Sequence, residues 1–353
     1  MNIQPLHSAR KILVRAVNWL GDAVMTTPAL QAVRETFPDA EITILANPLV
    51  SQLLYGHPAI DRVITFERNG KHGGIAGRLR LAAELHRERF DLALILPNSF
   101  DSALIPFLAG IPKRLGKASD GRSLLLTGRY RKPQQDVALH EVQYYRNLLG
   151  HFGITAAACR PFLSVTPEEE REAALFLAEQ GINTGELLLG INAGATYGSA
   201  KRWYPERFAQ VAGKLAQEWG AQVILFGGPD EQDIAKNIAD NLDRACLNLA
   251  GRTSVRRLMT LIKRCSFFIT NDSGPMHIAA AFGVPLVAVF GPTDHSGTAP
   301  FSDQAVIVRK PVECAPCKLR HCPADHRCMT AISAEEVLAA ARRLWYASRH
   351  NIS

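Results

Sequence analysis

Hydrophobic positions along the chain fall into short, nearly continuous apolar runs separated by longer stretches with helical spacing. In the first half, residues 11–17, 41–46, 62–66 and 91–96 read as strands, and residues 23–37 and 78–89 as helices. The second half repeats the pattern, with strands at 187–192, 222–226, 267–270 and 285–290 and helices at 205–219, 231–241 and 277–282. Strands that are apolar at almost every position are buried on both faces, and their alternation with helices predicts a parallel sheet covered on each side. The expectation is an α/β protein with two doubly wound, Rossmann-like domains in tandem. Thr166-Pro167-Glu168-Glu169 has the first-turn proline and acidic residues of a helix start, and it marks the boundary region. The predicted domains are residues 1–170 and 171–330, followed by a terminal helical segment, 331–353, expected to cross back to the first domain.

A length of 353 residues exceeds what one hydrophobic core usually spans, which agrees with two domains. The N-terminus has no apolar leader, and no window offers about 18 uninterrupted apolar residues, so a cytoplasmic location is expected. The net charge of +7 favours anionic partners. Cations gather at Lys113, Arg114, Lys117, Arg122, Arg129, Arg131 and Lys132, forming either a solvated face or a surface for an acidic acceptor or the inner membrane. No nucleic-acid motif accompanies them, so no nucleic-acid partner is expected.

Doubly wound sheets bind ligands beyond the carboxyl ends of their strands, so the loops there are the places to look for chemistry. Residues 267–277 run from an apolar strand into Asn271-Asp272-Ser273-Gly274 and then directly into a helix. Free amides and the positive helix end make this a diphosphate cradle, with Ser273 as a hydroxyl donor, Gly274 allowing close approach and His277 one turn in. A plain helix cap by Asp272 or Ser273 reads equally well. A second loop follows the strand at 187–192, with Thr196 ahead of the cations Lys201 and Arg202, which suit neutralising a leaving diphosphate. After the strand at 222–226, Glu231 is placed to accept hydrogen bonds from ribose hydroxyls, and Asp230 competes as a helix cap. In the first domain, Asp22 sits at a helix N-terminus, where the dipole keeps a carboxylate ionised, as a general base or a simple cap requires. Of the seven cysteines, Cys159, Cys246 and Cys265 read as small buried hydrophobes. Cys314, Cys317, Cys322 and Cys328 are spaced densely enough for a structural zinc site, with a reduced loop or local disulfides as the alternatives.

These stretches, in this order, resemble glycosyltransferase family 9, the heptosyltransferases of the lipopolysaccharide inner core. The residues that carry the resemblance are Ile12-Leu13-Val14-Arg15, Asn18-Trp19-Leu20-Gly21-Asp22, Thr27-Pro28-Ala29-Leu30, Lys201-Arg202-Trp203-Tyr204-Pro205, Asn271 to His277 and Phe290-Gly291-Pro292-Thr293-Asp294. The resemblance implies a GT-B architecture, two Rossmann-like domains facing a central cleft. It implies inverting transfer of heptose from ADP-heptose to a heptose of a Kdo-lipid A acceptor, with no cofactor needed for catalysis. It assigns Asp22 as the base and Lys201, Asp272, Ser273, Gly274 and His277 to the ADP moiety. Two other readings stay open: a sugar-nucleotide epimerase or hydrolase of the same architecture, and a non-catalytic module that binds nucleotide or nucleic acid.

Overall fold

The structure is a computed structural model that describes residues 8–134, 139–157, 160–183 and 185–350. The chain divides into two compact units, Met1–Ser164 and Val165–Ser353. The boundary falls just before the predicted helix start, where Thr166 and Glu169 form a reciprocal capping box on the first helix of the second unit.

The first unit is built on strands β1 (Lys11–Arg15), β2 (Glu41–Ala46), β3 (Arg62–Thr65), β4 (Leu92–Ile95), β5 (Lys113–Lys117) and β6 (Gly128–Tyr130), in spatial order β3-β2-β1-β4-β5-β6. All neighbours are parallel, with Ile12 opposite Ile42 on one side and Leu92 on the other. Its helices are α1 (Leu20–Thr36), α2 (Pro48–Leu54), α3 (Gly74–Glu88), α4 (Phe100–Leu108) and α5 (Glu141–Gly150). β1 and β4 fall within the apolar runs read from the sequence at 11–17 and 91–96. β5 was missed because its sequence is Lys-Arg-Leu-Gly-Lys: only Leu115 and Gly116 are buried, and its ladder bonds to β4 hold it in the sheet. The basic run is therefore partly a strand. Arg122, read as part of it, is wholly buried, donating to the carbonyls of Pro97, Ser99 and Lys117 and to Ser102 Oγ.

The second unit starts with α6 (Pro167–Glu179) and continues through β7 (Leu188–Asn192), α7 (Pro205–Trp219), β8 (Gln222–Phe226), α8 (Gln232–Asp240), β9 (Cys246–Asn248), α9 (Val255–Arg264), β10 (Phe267–Asn271), α10 (Gly274–Ala281), β11 (Leu286–Phe290), α11 (His295–Thr298), β12 (Ala305–Arg309), α12 (Arg327–Thr330) and α13 (Ala334–His350). Its strand order, β12-β11-β10-β7-β8-β9, repeats that of the first unit when read from the other edge. This is the doubly wound arrangement in which the strand order reverses beside the first strand, here between β7 and β10. The terminal helix α13 is held within this unit. It lies against α7, β11 and β12, and Trp345 stacks on Trp219 at 4.3 Å between ring centroids. These contacts pack it on the second sheet. Cys265 is buried as expected and Cys246 half-buried, while Cys159 lies outside the described residues.

His57 in the first unit is a buried side chain with an acid liability. It is 2% exposed, its Nδ1 accepts from the Ala59 amide at 3.2 Å, and its Nε2 meets the hydrogen-bond criteria with no atom of the described residues. Burial pushes its pKa down from 6.5 to about 4. As pH falls, the unfolded chain takes up this proton first, so the contribution to stability is complete above 6.5 and lost toward pH 4. At about 1.4 kcal/mol per pH unit, that gap corresponds to roughly 3 kcal/mol. Urea unfolding at pH 7.5 and at pH 4.5 should show His57→Leu losing less stability on acidification than the natural chain. Equal losses would show that His57 binds its proton alike in the folded and unfolded chains and contributes nothing to the acid loss.

Candidate functional site

In the second unit, the loops after β7, β8 and β10 come together at the carboxyl ends of the strands. β10 ends in Asn271, which is fully buried and ties two places to itself: its Nδ2 donates to the Ala193 carbonyl at 2.6 Å and its Oδ1 accepts from the Trp203 amide at 3.1 Å. One side chain therefore holds both ends of the loop 193–203 that carries Lys201. Asp272 follows and is 4% exposed. Its Oδ2 lies 2.6 Å from Lys201 Nζ and accepts from Thr293 Oγ1 at 2.5 Å. Lys201 Nζ also sits 5.0 Å from the centre of the Tyr197 ring. An ammonium has three donors, so the ion pair with Asp272 aims Lys201 without exhausting it.

This geometry decides between the two readings of residues 271–277. Ser273 is the residue that precedes α10, yet it makes no side-chain cap. Its Oγ is instead engaged by Asn192 Nδ2 at 3.1 Å and by Thr270 Oγ1 at 3.2 Å. Asp272 is committed to Lys201 and Thr293, so neither candidate caps the helix. The start of α10, opening on Gly274, keeps its positive end uncapped by side chains beside a cation, an arrangement that suits an anion. His277 is buried within the first turn of α10.

Glu231 approaches from the β8 loop. It is 7% exposed, and its Oε2 accepts from the Gly228 amide at 2.7 Å while its Oε1 has no partner among the described residues. Gly194 of the β7 loop lies directly against it: a Cβ at Gly194 would stand 2.0 Å from the carboxylate. Only glycine allows that approach. Asp230, the competing cap, is exposed and makes no cap. Three of the nine buried, unpartnered side-chain atoms of the described residues sit in this one place: Asn192 Oδ1, Arg202 Nε and Glu231 Oε1. Buried polar atoms are normally satisfied, so their clustering here marks a place for a polar ligand. Arg202 reaches back to the Ala195 carbonyl at 3.5 Å, and Thr196 is exposed at the loop tip.

The cysteine-rich segment braces the same loop. The Ala200 amide donates to the Arg320 carbonyl, His326 Nε2 meets the Ala200 carbonyl at 2.7 Å, and Tyr197 OH donates to the Lys318 carbonyl at 2.9 Å. A Cβ at Gly198 would stand 2.2 Å from the Arg320 oxygen, so the two strands of chain pass in contact. Cys314, Cys317, Cys322 and Cys328 all line one cavity, yet among the described residues no three His, Cys, Asp or Glu side chains are disposed to hold a metal ion. Cys328 is buried in the hydrophobic core beside Met329, whereas Cys314 and Cys317 face solvent. Burial, reinforced by the three neighbouring thiols, pushes the Cys328 thiol up to about 11.

In the first unit, Asp22 occupies the first turn of α1, partly buried, after Trp19, which provides no side-chain cap. The sequence reading missed its neighbour Glu141, at the start of α5. Burial raises the Glu141 carboxyl, and the charge of Asp22 raises it further, while Lys132 and Lys117 oppose the shift. Asn192 was missed as well, and Asn271 and Thr293, read within motifs, were given no role of their own. Their one legible signal is a polar residue closing an otherwise apolar strand or following a Gly-Pro turn.

The role of Asn271 is open to a direct check. Asn271→Ala leaves the Ala193 carbonyl and the Trp203 amide unpaired in the core, a cost of about 2–4 kcal/mol in unfolding free energy. Freed at both ends, the loop should be cut faster by trypsin after Lys201 and Arg202. Unchanged stability with unchanged tryptic cutting would remove Asn271 as the holder of this loop.

Residues 78–327 match glycosyltransferase family 9 (heptosyltransferase). The chain is 34% identical over 308 residues to lipooligosaccharide heptosyltransferase 2 of Haemophilus influenzae, covering 84% of this chain and 88% of that protein. It is 34% identical over 312 residues to lipopolysaccharide heptosyltransferase 2 of Escherichia coli, covering 85% and 88%. Among solved structures it resembles the E. coli ADP-heptose lps heptosyltransferase II, with a TM-score of 0.81, 29% identity and coverage of 96% of this chain and 99% of that one. It also resembles the glycosyl transferase family 9 structure from Veillonella parvula, with a TM-score of 0.87, 26% identity and coverage of 96% and 97%. The paired six-stranded parallel sheets are those of these GT-B structures. On fold and sequence alike, the chain belongs to glycosyltransferase family 9, the heptosyltransferases.

Proposed function

We propose that this enzyme moves L-glycero-D-manno-heptose from ADP-heptose to a heptose of the Kdo-lipid A inner core, with inversion, in lipopolysaccharide core biosynthesis. The observation that carries the donor reading is the convergence of Lys201, the uncapped start of α10 and the unpartnered Glu231 Oε1 in the second unit. These three features match the parts of a nucleoside diphosphate. The diphosphate lies at the helix start beside Lys201, and the ribose hydroxyls donate to Glu231 Oε1. Asn192 Oδ1 and Arg202 Nε supply one acceptor and one donor at the edge of the same place. The relatives named for ADP-heptose and for lipopolysaccharide supply the identity of the sugar and of the acceptor.

The reaction follows from the charges. The acceptor hydroxyl oxygen attacks the anomeric carbon from the face opposite ADP, and its proton passes to the Asp22 carboxylate. The bond from the anomeric carbon to the diphosphate oxygen breaks, and its electron pair leaves with ADP. Lys201 and the α10 dipole stabilise the negative charge that grows on that oxygen. Asp272 is a positioning residue: it holds Lys201 2.6 Å away and points it at the leaving group. Glu141, whose carboxyl is raised by burial and then by the charge of Asp22, is the acidic neighbour of that base. The acceptor is lipid-linked in this reading, so the enzyme works from the cytoplasmic side at a membrane face.

Two substitutions separate the roles. Asp22→Asn should lower transfer by roughly 100-fold or more while leaving ADP affinity nearly unchanged. Retained turnover in a purified-acceptor assay would take Asp22 out of the mechanism. Lys201→Met should weaken ADP binding and slow transfer together, the rate by about 100-fold. Because it also strips Asp272 of its partner, the variant is to be compared by calorimetry for folding first. A folded Lys201→Met protein that binds ADP like the natural chain would make Lys201 structural only.

A further inference from the structure

The excess positive charge of the chain is confined to one region of the first unit. Residues 68–132 hold thirteen Lys and Arg against five Asp and Glu, a net of +8, whereas the whole chain nets +7. The same region carries exposed apolar side chains. α3 and α4 turn Leu81, Leu85, Ala103 and Ile105 into the core. On the opposite side they leave Ile75, Leu79, Phe100, Phe107 and Leu108 exposed, and the turn at Arg122–Leu125 adds Leu124. Ile75 is 81% exposed and Leu124 86%.

These side chains belong to one surface. α3 and α4 run side by side, joined near their starts by the Arg78–Asp101 ion pair at 2.5 Å and near their ends by His86 Nδ1 and the Ala109 carbonyl at 3.0 Å. Buried Arg122 fastens the Leu124 turn to α4 through Ser99 and Ser102. α4 has no polar outer face at all. Its sequence offers Asp101, which is spent on Arg78, and Ser102, which is buried, and the rest is apolar. A helix apolar on every side is ordinarily enclosed by protein. Here cations border it instead: the Arg114 guanidinium lies 5.3 Å from the centre of the Phe107 ring, and Arg80 projects from the exposed side of α3.

We propose that the α3–α4 face is a membrane-docking surface, which seats its exposed apolar side chains in the interface of an anionic bilayer while the surrounding cations meet the headgroups. Charge complementarity selects this occupant. An apolar patch alone would suit a protein partner equally, but a patch bordered by Arg80 and Arg114, within a stretch of chain that nets +8, fits a surface of lipid phosphates. A second copy of the chain would bring like charge against like charge, so self-association through this face is disfavoured. The proposal rests on the lipid-linked acceptor of the proposed function, and it gives that reaction a way to keep the enzyme at the surface where its acceptor lies. None of these residues belongs to the donor site.

The test is sedimentation of the full chain with vesicles of phosphatidylcholine alone and of phosphatidylcholine mixed with phosphatidylglycerol, at low and high salt. The natural chain should bind the anionic vesicles, bind phosphatidylcholine weakly and be released by salt. The surface variant Ile75→Glu/Leu124→Glu should fold normally and partition roughly tenfold less. Binding that ignores lipid charge or survives the double substitution overturns the proposal. So does a concentration-dependent dimer that the double substitution dissociates, which would assign the face to a second copy. Transfer to a deacylated, water-soluble core acceptor separates this result from the proposed function. The double variant should match the natural chain there, and failure of both proteins on every acceptor would refute the transferase reading while leaving the vesicle result to stand by itself.

Discussion

The proposed donor site depends on one buried ion pair, Lys201 with Asp272, at the carboxyl ends of the second sheet. Separating such a pair by removing one partner leaves an uncompensated buried charge, which costs about 3–5 kcal/mol, so the geometry around it is strongly held. Thr293 holds the carboxylate from β11's side, Asn271 holds both ends of the lysine's loop, and the cysteine-rich segment supports that loop from outside. The outcome is a cation fixed beside an uncapped helix start before any ligand arrives. Pre-placed charge of this kind stabilises a leaving diphosphate without rearrangement during reaction.

The same arrangement explains why the loops have their composition. Gly194 is glycine because the Glu231 carboxylate occupies the space of a side chain, and Gly198 is glycine because the Arg320 backbone does. The cysteine-rich segment then acquires a role without a metal ion: its backbone carbonyls and His326 fasten the lysine loop to the rest of the unit. Its thiols are reduced, and Cys328 contributes as a core residue.

Much of this was legible in the residues before the fold. Continuous apolar runs such as Ile12-Leu13-Val14 and Phe267-Phe268-Ile269 announce central parallel strands, because burial on both faces leaves no polar alternation. The loop that follows β10 was legible as either cradle or cap, and only side-chain partners decide between these. The misses share a cause. β5 is a strand by its ladder bonds and not by its Lys-Arg-Leu-Gly-Lys side chains, and α4 is so uniformly apolar that no helical period shows. Asn271 sat inside a recognised motif, but that it grips residues 193 and 203 is a long-range fact without any local signature.

The central claim is that the second unit's strand ends receive ADP through Lys201, the start of α10 and Glu231. A crystal structure of the protein with ADP tests it most directly. The account predicts diphosphate oxygens about 3 Å from Lys201 Nζ and from the Gly274 amide, with the ribose hydroxyls on Glu231 Oε1. ADP bound elsewhere, or bound with Lys201 still turned wholly to Asp272 and Glu231 Oε1 unpaired, would contradict it.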